Sequence, residues 1–146
     1  MDSLLVNSIL FMLWEGRGHY PVSKSLVHTL AYICMCEYLK DGDKKPILFR
    51  VEDNGPTLDS LDSHYPGTTI TDYWRNINNN AFMHSGKKMD VVLGVVQACG
   101  DMNDMDVAGI VKQPGSGWHK AHQRGDETIL VEDMLGDYSY DHCLPE

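Results

Sequence analysis

The sequence SKSLVHTLAYICMCEY, from Ser23 to Tyr38, predicts the helix around which the rest of this chain is arranged. Its apolar residues recur at steps of three and four, the spacing of one helical face. These residues are Leu26, Val27, Leu30, Ala31, Ile33, Cys34 and Tyr38. Because they cover more than half of the helix surface, the helix should be central. Ser23 can cap its N-terminus, and Pro21 disfavours helix before it. We therefore predict a core helix that ends near Lys40.

The composition predicts one acidic globular domain. A chain of 146 residues with 42% apolar and 23% charged residues can bury a real core and is not typical of a disordered protein. Lys and Arg number 12 against 21 Asp and Glu, which gives a formal charge of −9. Such a surface repels nucleic acid and anionic lipid, and it favours basic protein partners. No apolar run approaches the roughly 20 residues that span a bilayer.

The N-terminus and the cysteines predict a cytoplasmic protein. The stretch LLVNSILFMLW, residues 4–14, lacks a basic n-region and is interrupted by Asn7, so it is not typical of a signal peptide. The four cysteines, Cys34, Cys36, Cys99 and Cys143, do not form a disulfide pattern. Reduced thiols are therefore expected.

The remaining elements predict a mainly α fold with a small β element (α+β), a compact helical bundle with a short β-hairpin or a sheet of two or three strands. Further helices are predicted at 2–15, 57–64, 87–99, 103–112, 118–123 and 132–138, and short strands at 46–51, 68–71 and 128–130. Thr57 and Asn103 are the expected caps of two of these helices. The polar segment 72–80 is expected to be irregular. We assign 1–138 to a single domain and 139–146 to a loose C-terminal tail.

Neither a metal nor a cofactor is predicted. His119, His122 and Asp126 are too few for zinc, and no Cys-x-x-Cys pair joins them. The acidic run 101–106 lacks the glycine that a calcium loop needs at its sixth position, where Asp106 stands. These acids are more simply caps and first-turn residues of a helix.

The residues also predict no enzyme. The chain has no Gly-x-Ser-x-Gly elbow, and Cys34 and Cys36 lie within an apolar helix, where thiols are usually inert. The Gly115-Ser116-Gly117 loop lacks the lysine of a phosphate-binding loop. One enzymatic alternative stays open, a small hydrolase that uses His28 or His119 with a carboxylate.

Several short stretches resemble one family. The stretch SKSLVHTLAY at 23–32 is similar to the opening helix signature of the SocA-like antitoxin domain, also called the Panacea domain, which includes phage-associated GepA proteins. The stretch ILFRVEDNGPT at 47–57 resembles the extended piece that leads to Tyr-Gly-Pro-Val, and PGSGWHKA at 114–121 resembles the Pro-Trp-x-x-Ala element. Ile129, Glu132, Met134 and Tyr138 fit the closing pattern of the family. The resemblance extends from about residue 22 to 138, with Asn54 in place of the family's Tyr and Gly117 in place of its Pro.

The resemblance implies a protein that acts by binding proteins, without catalytic residues. Family members neutralise partner toxins, and one resembles an adaptor that delivers its toxin to a protease. We therefore predict an inhibitor of a partner protein, either an antitoxin or a phage counter-defence (anti-CRISPR-like) protein, that acts in a bacterial cytoplasm and is encoded by the bacterium or by a phage. The partner is a toxin or a host defence protein with a basic surface. The hydrolase and the protease adaptor are the alternatives.

The predicted partner-binding residues are Glu52, Asp53, Asn54, Asp59, Asp62 and Trp118. The acids cluster around the Gly55-Pro56 turn, and Asp59 and Asp62 are spaced to share a helix face. Carboxylates presented together could cover a basic surface of a partner. The alternative is that these are ordinary solvated acids and that Trp118 packs in the core.

Overall fold

The computed structural model describes residues 3–17, 21–65, 67–70, 84, 86–100 and 102–144. Within them the helices are α1 (Ser3–Arg17), α2 (Lys24–Lys40), α3 (Asp59–His64), α4 (Lys87–Cys99), α5 (Asp104–Lys112), α6 (Gly117–Arg124) and α7 (Val131–Leu135), followed by a 3-10 turn (Asp141–Cys143). The strands are β1 (Val22–Ser23), β2 (Arg50–Glu52), β3 (Gly55–Thr57) and β4 (Thr69–Ile70). The predicted mainly α class with a small β element is confirmed.

Helix α2 is the centre of the fold, as its apolar pattern predicted. The Ser23 hydroxyl accepts the Leu26 N–H and caps the helix. Almost every residue from Leu26 to Leu39 is buried, since α1, α4, α5 and α7 all pack against α2. Leu30 is fully inaccessible to solvent. The hydrophobic core is therefore built on one helix that other helices surround.

Most helix predictions are confirmed, but one cap is wrong. Asn103 caps α5 by accepting the Met105 N–H. Thr57, the predicted cap of the short helix, lies instead in β3, and its hydroxyl donates to the Gly55 carbonyl. Leu58 occupies the N-cap position of α3 without a side-chain bond. The predicted irregular segment 72–80 lies outside the described residues.

Two small antiparallel sheets hold the helices in place. In the first, β1 pairs with β4, with Val22 opposite Ile70. The second is a hairpin of β2 and β3, in which Arg50 lies opposite Thr57 and Glu52 opposite Gly55. The sequence did not predict β3, because Gly55-Pro56 is typical of a turn and not of a strand. The predicted strand at 46–51 is regular only from Arg50 onward.

The outer edge of β2 is covered by an extended segment at 127–129. The Val51 N–H donates to the Glu127 carbonyl (2.8 Å), and the Ile129 N–H donates to the Phe49 carbonyl (2.9 Å). Arg50 and Thr128 form an antiparallel bridge between these two hydrogen bonds. The extended piece predicted at 128–130 thus pairs with β2 and fixes the hairpin from its second side.

A buried polar cluster joins the C-terminal segment to α2. The Asp137 carboxylate is inaccessible and accepts hydrogen bonds from the Tyr32 hydroxyl (2.6 Å) and from the backbone N–H groups of Gly117 (3.0 Å) and Ser139 (2.9 Å). Burial, above all, raises the pKa of Tyr32. A Cβ at Gly117 would collide with the Tyr32 hydroxyl, which explains glycine at this position.

The prediction of a loose C-terminal tail is wrong for 139–144, the part of the tail that the structure describes. Tyr140 is fully buried, and its hydroxyl donates to Glu37 (2.9 Å) and accepts from the Lys40 ammonium (2.8 Å). An aromatic side chain of this size contributes substantially to the core when buried. Tyr140 therefore fastens the tail to the end of α2.

Candidate functional site

Trp118 packs against the β2–β3 hairpin. Its indole N–H donates to the Glu52 carbonyl (2.8 Å), and its ring stacks on His122 with a centroid separation of 4.6 Å. Only 6% of Trp118 is exposed. Trp118 is thus a packing residue that positions the hairpin, and its ring is not available as a partner-binding surface.

One arginine that the prediction did not include forms ion pairs with three acids of the predicted cluster. The Arg50 guanidinium binds Glu52 and Asp59 directly and lies 3.5 Å from Asp62. Asp62 also pairs with the Lys24 ammonium at 3.0 Å. The prediction that Glu52, Asp59 and Asp62 bind a partner stays a prediction, and a partner that bound them would have to compete with these ion pairs. These acids fix the hairpin to α3 and α2.

The tip of the hairpin is the part of the predicted site that faces solvent. The Asp53 side chain is 101% exposed, and Asn54 is exposed beside it. The His122 ring lies near Asp53, with its Nε2 3.8 Å from the carboxylate. The predicted polar residues of the hairpin and α3 therefore form two groups. Glu52, Asp59 and Asp62 form ion pairs with Arg50, and Asp53 and Asn54 lie at the exposed tip.

His28 lies in a polar cleft of about 260 Å³ between α2, α3 and the hairpin. Its Nδ1 accepts the backbone N–H of Leu58 (3.0 Å), so the proton of the neutral ring is on Nε2, which donates to Asp62 (3.0 Å). Burial lowers the pKa of His28 more than the Asp62 hydrogen bond raises it. Burial opposes ionisation of Asp62, but the hydrogen bonds from Lys24 and His28 outweigh it and lower the pKa of that carboxyl.

This geometry counts against the hydrolase alternative at His28. A general base needs a free lone pair within reach of a substrate proton. The one lone pair of the neutral imidazole already accepts the Leu58 N–H, and the ring proton is given to Asp62. Lys24 is likewise engaged in bonds within the protein, because its ammonium pairs with Asp62 and also donates to the Tyr65 carbonyl (3.1 Å). His28 is therefore arranged to fasten α2 to α3 and the hairpin.

The lowered pKa of His28 predicts a loss of stability on mild acidification. The unfolded chain protonates this histidine near pH 6.5 and the folded chain only at lower pH, so the unfolded state binds more protons in that window. The free energy of unfolding should thus fall as the pH drops below about 6.5 and level off below the folded pKa.

The direct measurement is an NMR titration of the histidine ring protons, in which His28 should titrate below 6.5. His84, whose pKa burial also lowers, contributes with the same sign. The urea unfolding profile of His28→Gln should therefore lose only part of the pH dependence between pH 7.5 and 5. A pKa of His28 at or above 6.5 would contradict the predicted loss of stability on acidification.

Two leucines form an exposed apolar pair next to the hairpin. The antiparallel register that places Phe49 opposite Ile129 also places Leu48 opposite Leu130. Phe49 and Ile129 are fully buried, and because side chains alternate along a strand, their neighbours face solvent. Leu48 is 58% exposed and Leu130 is 42% exposed. We call Leu48, Leu130, Asp53 and Asn54 the docking face.

Comparison of the chain with protein-family models, with curated proteins and with solved structures finds no match. Among the described residues, no group of His, Cys, Asp or Glu side chains is arranged to hold a metal ion. No helix in the described part of the chain has the length and apolar content required to cross a bilayer.

The sequence predicted the exposed position of the hairpin tip, but not the roles of Arg50, Leu48 and Leu130 around the hairpin. Arg50 and Leu48 alternate with buried Phe49 in the sequence, and this alternation is the one signal that could have indicated their outward direction. Leu130 could not be found in this way, since its partner strand is distant in sequence.

Proposed function

We propose that this chain is a protein-binding inhibitor that neutralises a partner protein by direct contact. The partner is a toxin of a toxin–antitoxin pair or a host defence protein that a phage counters, and the complex forms in the bacterial cytoplasm. The observation that carries the proposal is the docking face, in which two exposed leucines at the base of the hairpin accompany an exposed acidic tip.

The docking face has the composition of a protein interface. Such interfaces combine an apolar centre with a polar rim, and Leu48 and Leu130 supply the first while Asp53 and Asn54 supply the second.

The hairpin is held in one conformation before any partner arrives. Trp118 fixes the Glu52 carbonyl, Arg50 ties β2 to α3, and the segment at 127–129 covers the outer edge. A surface that is already ordered loses less conformational entropy on binding, and this improves affinity without new contacts. The rigid tip supports recognition by docking more than by folding on binding.

The charge of the chain supports a basic partner surface. The formal charge of −9 attracts positively charged proteins over distances at which the individual contacts do not yet act. Asp53 is the carboxylate of the docking face without a close arginine or lysine among the described residues, so it can pair with a cation of the partner.

The proposal is tested by capture from the source cells. The tagged wild-type chain, Asp53→Lys and Asp41→Lys are each used for pull-down with mass spectrometry. Asp41 is also an exposed acid in a turn, at the far end of α2 from the hairpin. The proposal requires a protein that wild type and Asp41→Lys retain and Asp53→Lys loses, and whose activity falls when wild type is added.

Binding kinetics give the quantitative prediction. Asp53→Lys should slow association with the partner by about three- to tenfold and weaken its salt dependence, because a rim charge acts mainly on encounter. The double change Leu48→Ala and Leu130→Ala should instead speed dissociation by about tenfold, because apolar contacts act mainly on the lifetime of the complex. Surface plasmon resonance at two salt concentrations measures both rates.

Matched variants decide whether these effects are local. Asp41→Lys makes the same charge change, and Leu93→Ala truncates an exposed leucine on α4; both should leave the two rates within about twofold. Thermal unfolding of each variant should stay within a few degrees of wild type. If the partner binds all variants alike, the docking face is not the interface.

A further inference from the structure

A groove of about 450 Å³ lies between the end of α2 and the start of α4. Four of its lining residues are lysines from two distant parts of the sequence, Lys44, Lys45, Lys87 and Lys88. We call this feature the lysine groove. Tyr38, Val91, Gly42, Asp41 and Asp43 complete its lining.

Three of the four lysines in the lysine groove have no carboxylate partner among the described residues. Lys88 pairs with Asp43 at 3.0 Å, and Asp43 also accepts the Lys45 backbone N–H (2.9 Å). Within the described part of the chain, the ammonium groups of Lys44, Lys45 and Lys87 form no ion pair with a carboxylate. Two aspartates thus face four lysines, although acids outnumber bases 21 to 12 in the whole chain.

Most other cationic side chains that the structure describes do form an ion pair with a carboxylate. Lys24, Lys40, Arg50 and Arg124 each have a carboxylate within 4 Å, whereas no ion pair of Lys112 or Lys120 is found among the described residues. The lysine groove differs in that three amines without an ion pair among the described residues converge there, which leaves a local positive field. At physiological salt such a field extends only about 8 Å, so the distant acids barely cancel it.

The floor of the lysine groove is apolar. Val91 is the partly exposed apolar side chain of its lining, whereas Tyr38 is only 3% exposed, and the Lys88 ammonium lies 5.2 Å from the centre of the Tyr38 ring. The volume is within the range of about 300–1,000 Å³ that is usual for small-ligand sites. A suitable ligand therefore has an apolar or aromatic part for the floor and at least two negative charges for the lysines.

We propose that the lysine groove binds a small organic phosphate of the nucleoside di- or triphosphate class. Lysine ammonium groups bind phosphate oxygens as point charges, and several of them can follow a phosphate chain. A long nucleic acid is a poor alternative, because the net charge of −9 repels a polyanion that extends beyond the groove. This ligand site is independent of the docking face and goes beyond the proposed function.

Isothermal titration calorimetry tests the site with ATP, pyrophosphate and inorganic phosphate as probes. The full chain should bind one ATP, with pyrophosphate weaker because it lacks a part that contacts the floor, and with inorganic phosphate weaker still. The double variant Lys44→Gln and Lys87→Gln should lose at least about tenfold in ATP affinity. Both side chains are exposed, so circular dichroism should show an unchanged fold.

Lys120→Gln is the matched control, because Lys120 lies on α6 outside the groove, and its ATP affinity should equal that of wild type. Four results would overturn the proposal: no heat with ATP, an equal loss in Lys120→Gln, an unchanged affinity in the double variant, or inorganic phosphate bound as tightly as ATP. The last result would mean an adventitious ion only.

Discussion

Replacement of Leu30 by alanine should lower the free energy of unfolding by about 2–5 kcal/mol. Leu30 is fully buried on the helix that α1, α4, α5 and α7 surround. The truncation removes buried methyl groups and leaves a cavity that packed helices can fill only in part. Because four helices meet on α2, collapse around the cavity would have to move several elements together. Urea unfolding followed by circular dichroism measures the loss.

Leu93→Ala makes the same chemical change at a partly exposed position of α4 and serves as its control. It should cost less than about 1 kcal/mol, since little apolar surface is uncovered and alanine favours helix. A loss for Leu30→Ala no larger than for Leu93→Ala would contradict the central position of α2. An unchanged m-value in both variants would show that the unfolded states are comparable.

The helical framework was predictable because its signals are local. In α2 the cap at Ser23 and the apolar spacing are read within one stretch, and both are observed. The hairpin was only half predictable. Its first strand contains β-branched and aromatic residues, whereas Gly55-Pro56 in the second strand is typical of a turn and became a strand through pairing with β2.

The candidate site was less predictable because its properties depend on pairing across elements. The acids at 52, 59 and 62 are clustered in sequence, but their availability is decided by Arg50, Lys24 and the fold that brings them together. The lysine groove shows the opposite case, in which pairs of lysines 43 positions apart converge in space. The net charge of the whole chain is negative, and it could not indicate that the lysine groove is locally positive.

Sequence patterns could not predict the buried cluster at Asp137 either, because it also depends on contacts between separate elements. Asp137 is a polar residue near the predicted loose tail, and its three donors come from α2, α6 and the chain two residues onward. Only the tertiary structure shows that this carboxylate is buried. Its removal gives the second prediction.

Asp137→Ala should lower the free energy of unfolding by at least about 3 kcal/mol. The change leaves the buried Tyr32 hydroxyl, the buried Gly117 N–H and the partly buried Ser139 N–H without their acceptor. An unsatisfied buried donor costs about 1–3 kcal/mol. Asp141→Ala, at an exposed position four residues later, should stay within about 0.5 kcal/mol of wild type. Urea unfolding of both variants at pH 7 provides the comparison.

A double-mutant cycle with Tyr32→Phe separates the hydrogen bond from the other effects. Tyr32→Phe alone removes one donor and leaves the Asp137 carboxylate with two backbone N–H bonds, so it should cost about 1–2 kcal/mol. Because both single changes break the same Tyr32–Asp137 bond, the double variant should be more stable than the sum of the two losses predicts, by about 1 kcal/mol or more. Strict additivity would mean that the two side chains do not interact in solution, and the C-terminal segment would then be held mainly by Tyr140, which Glu37 and Lys40 bind from α2.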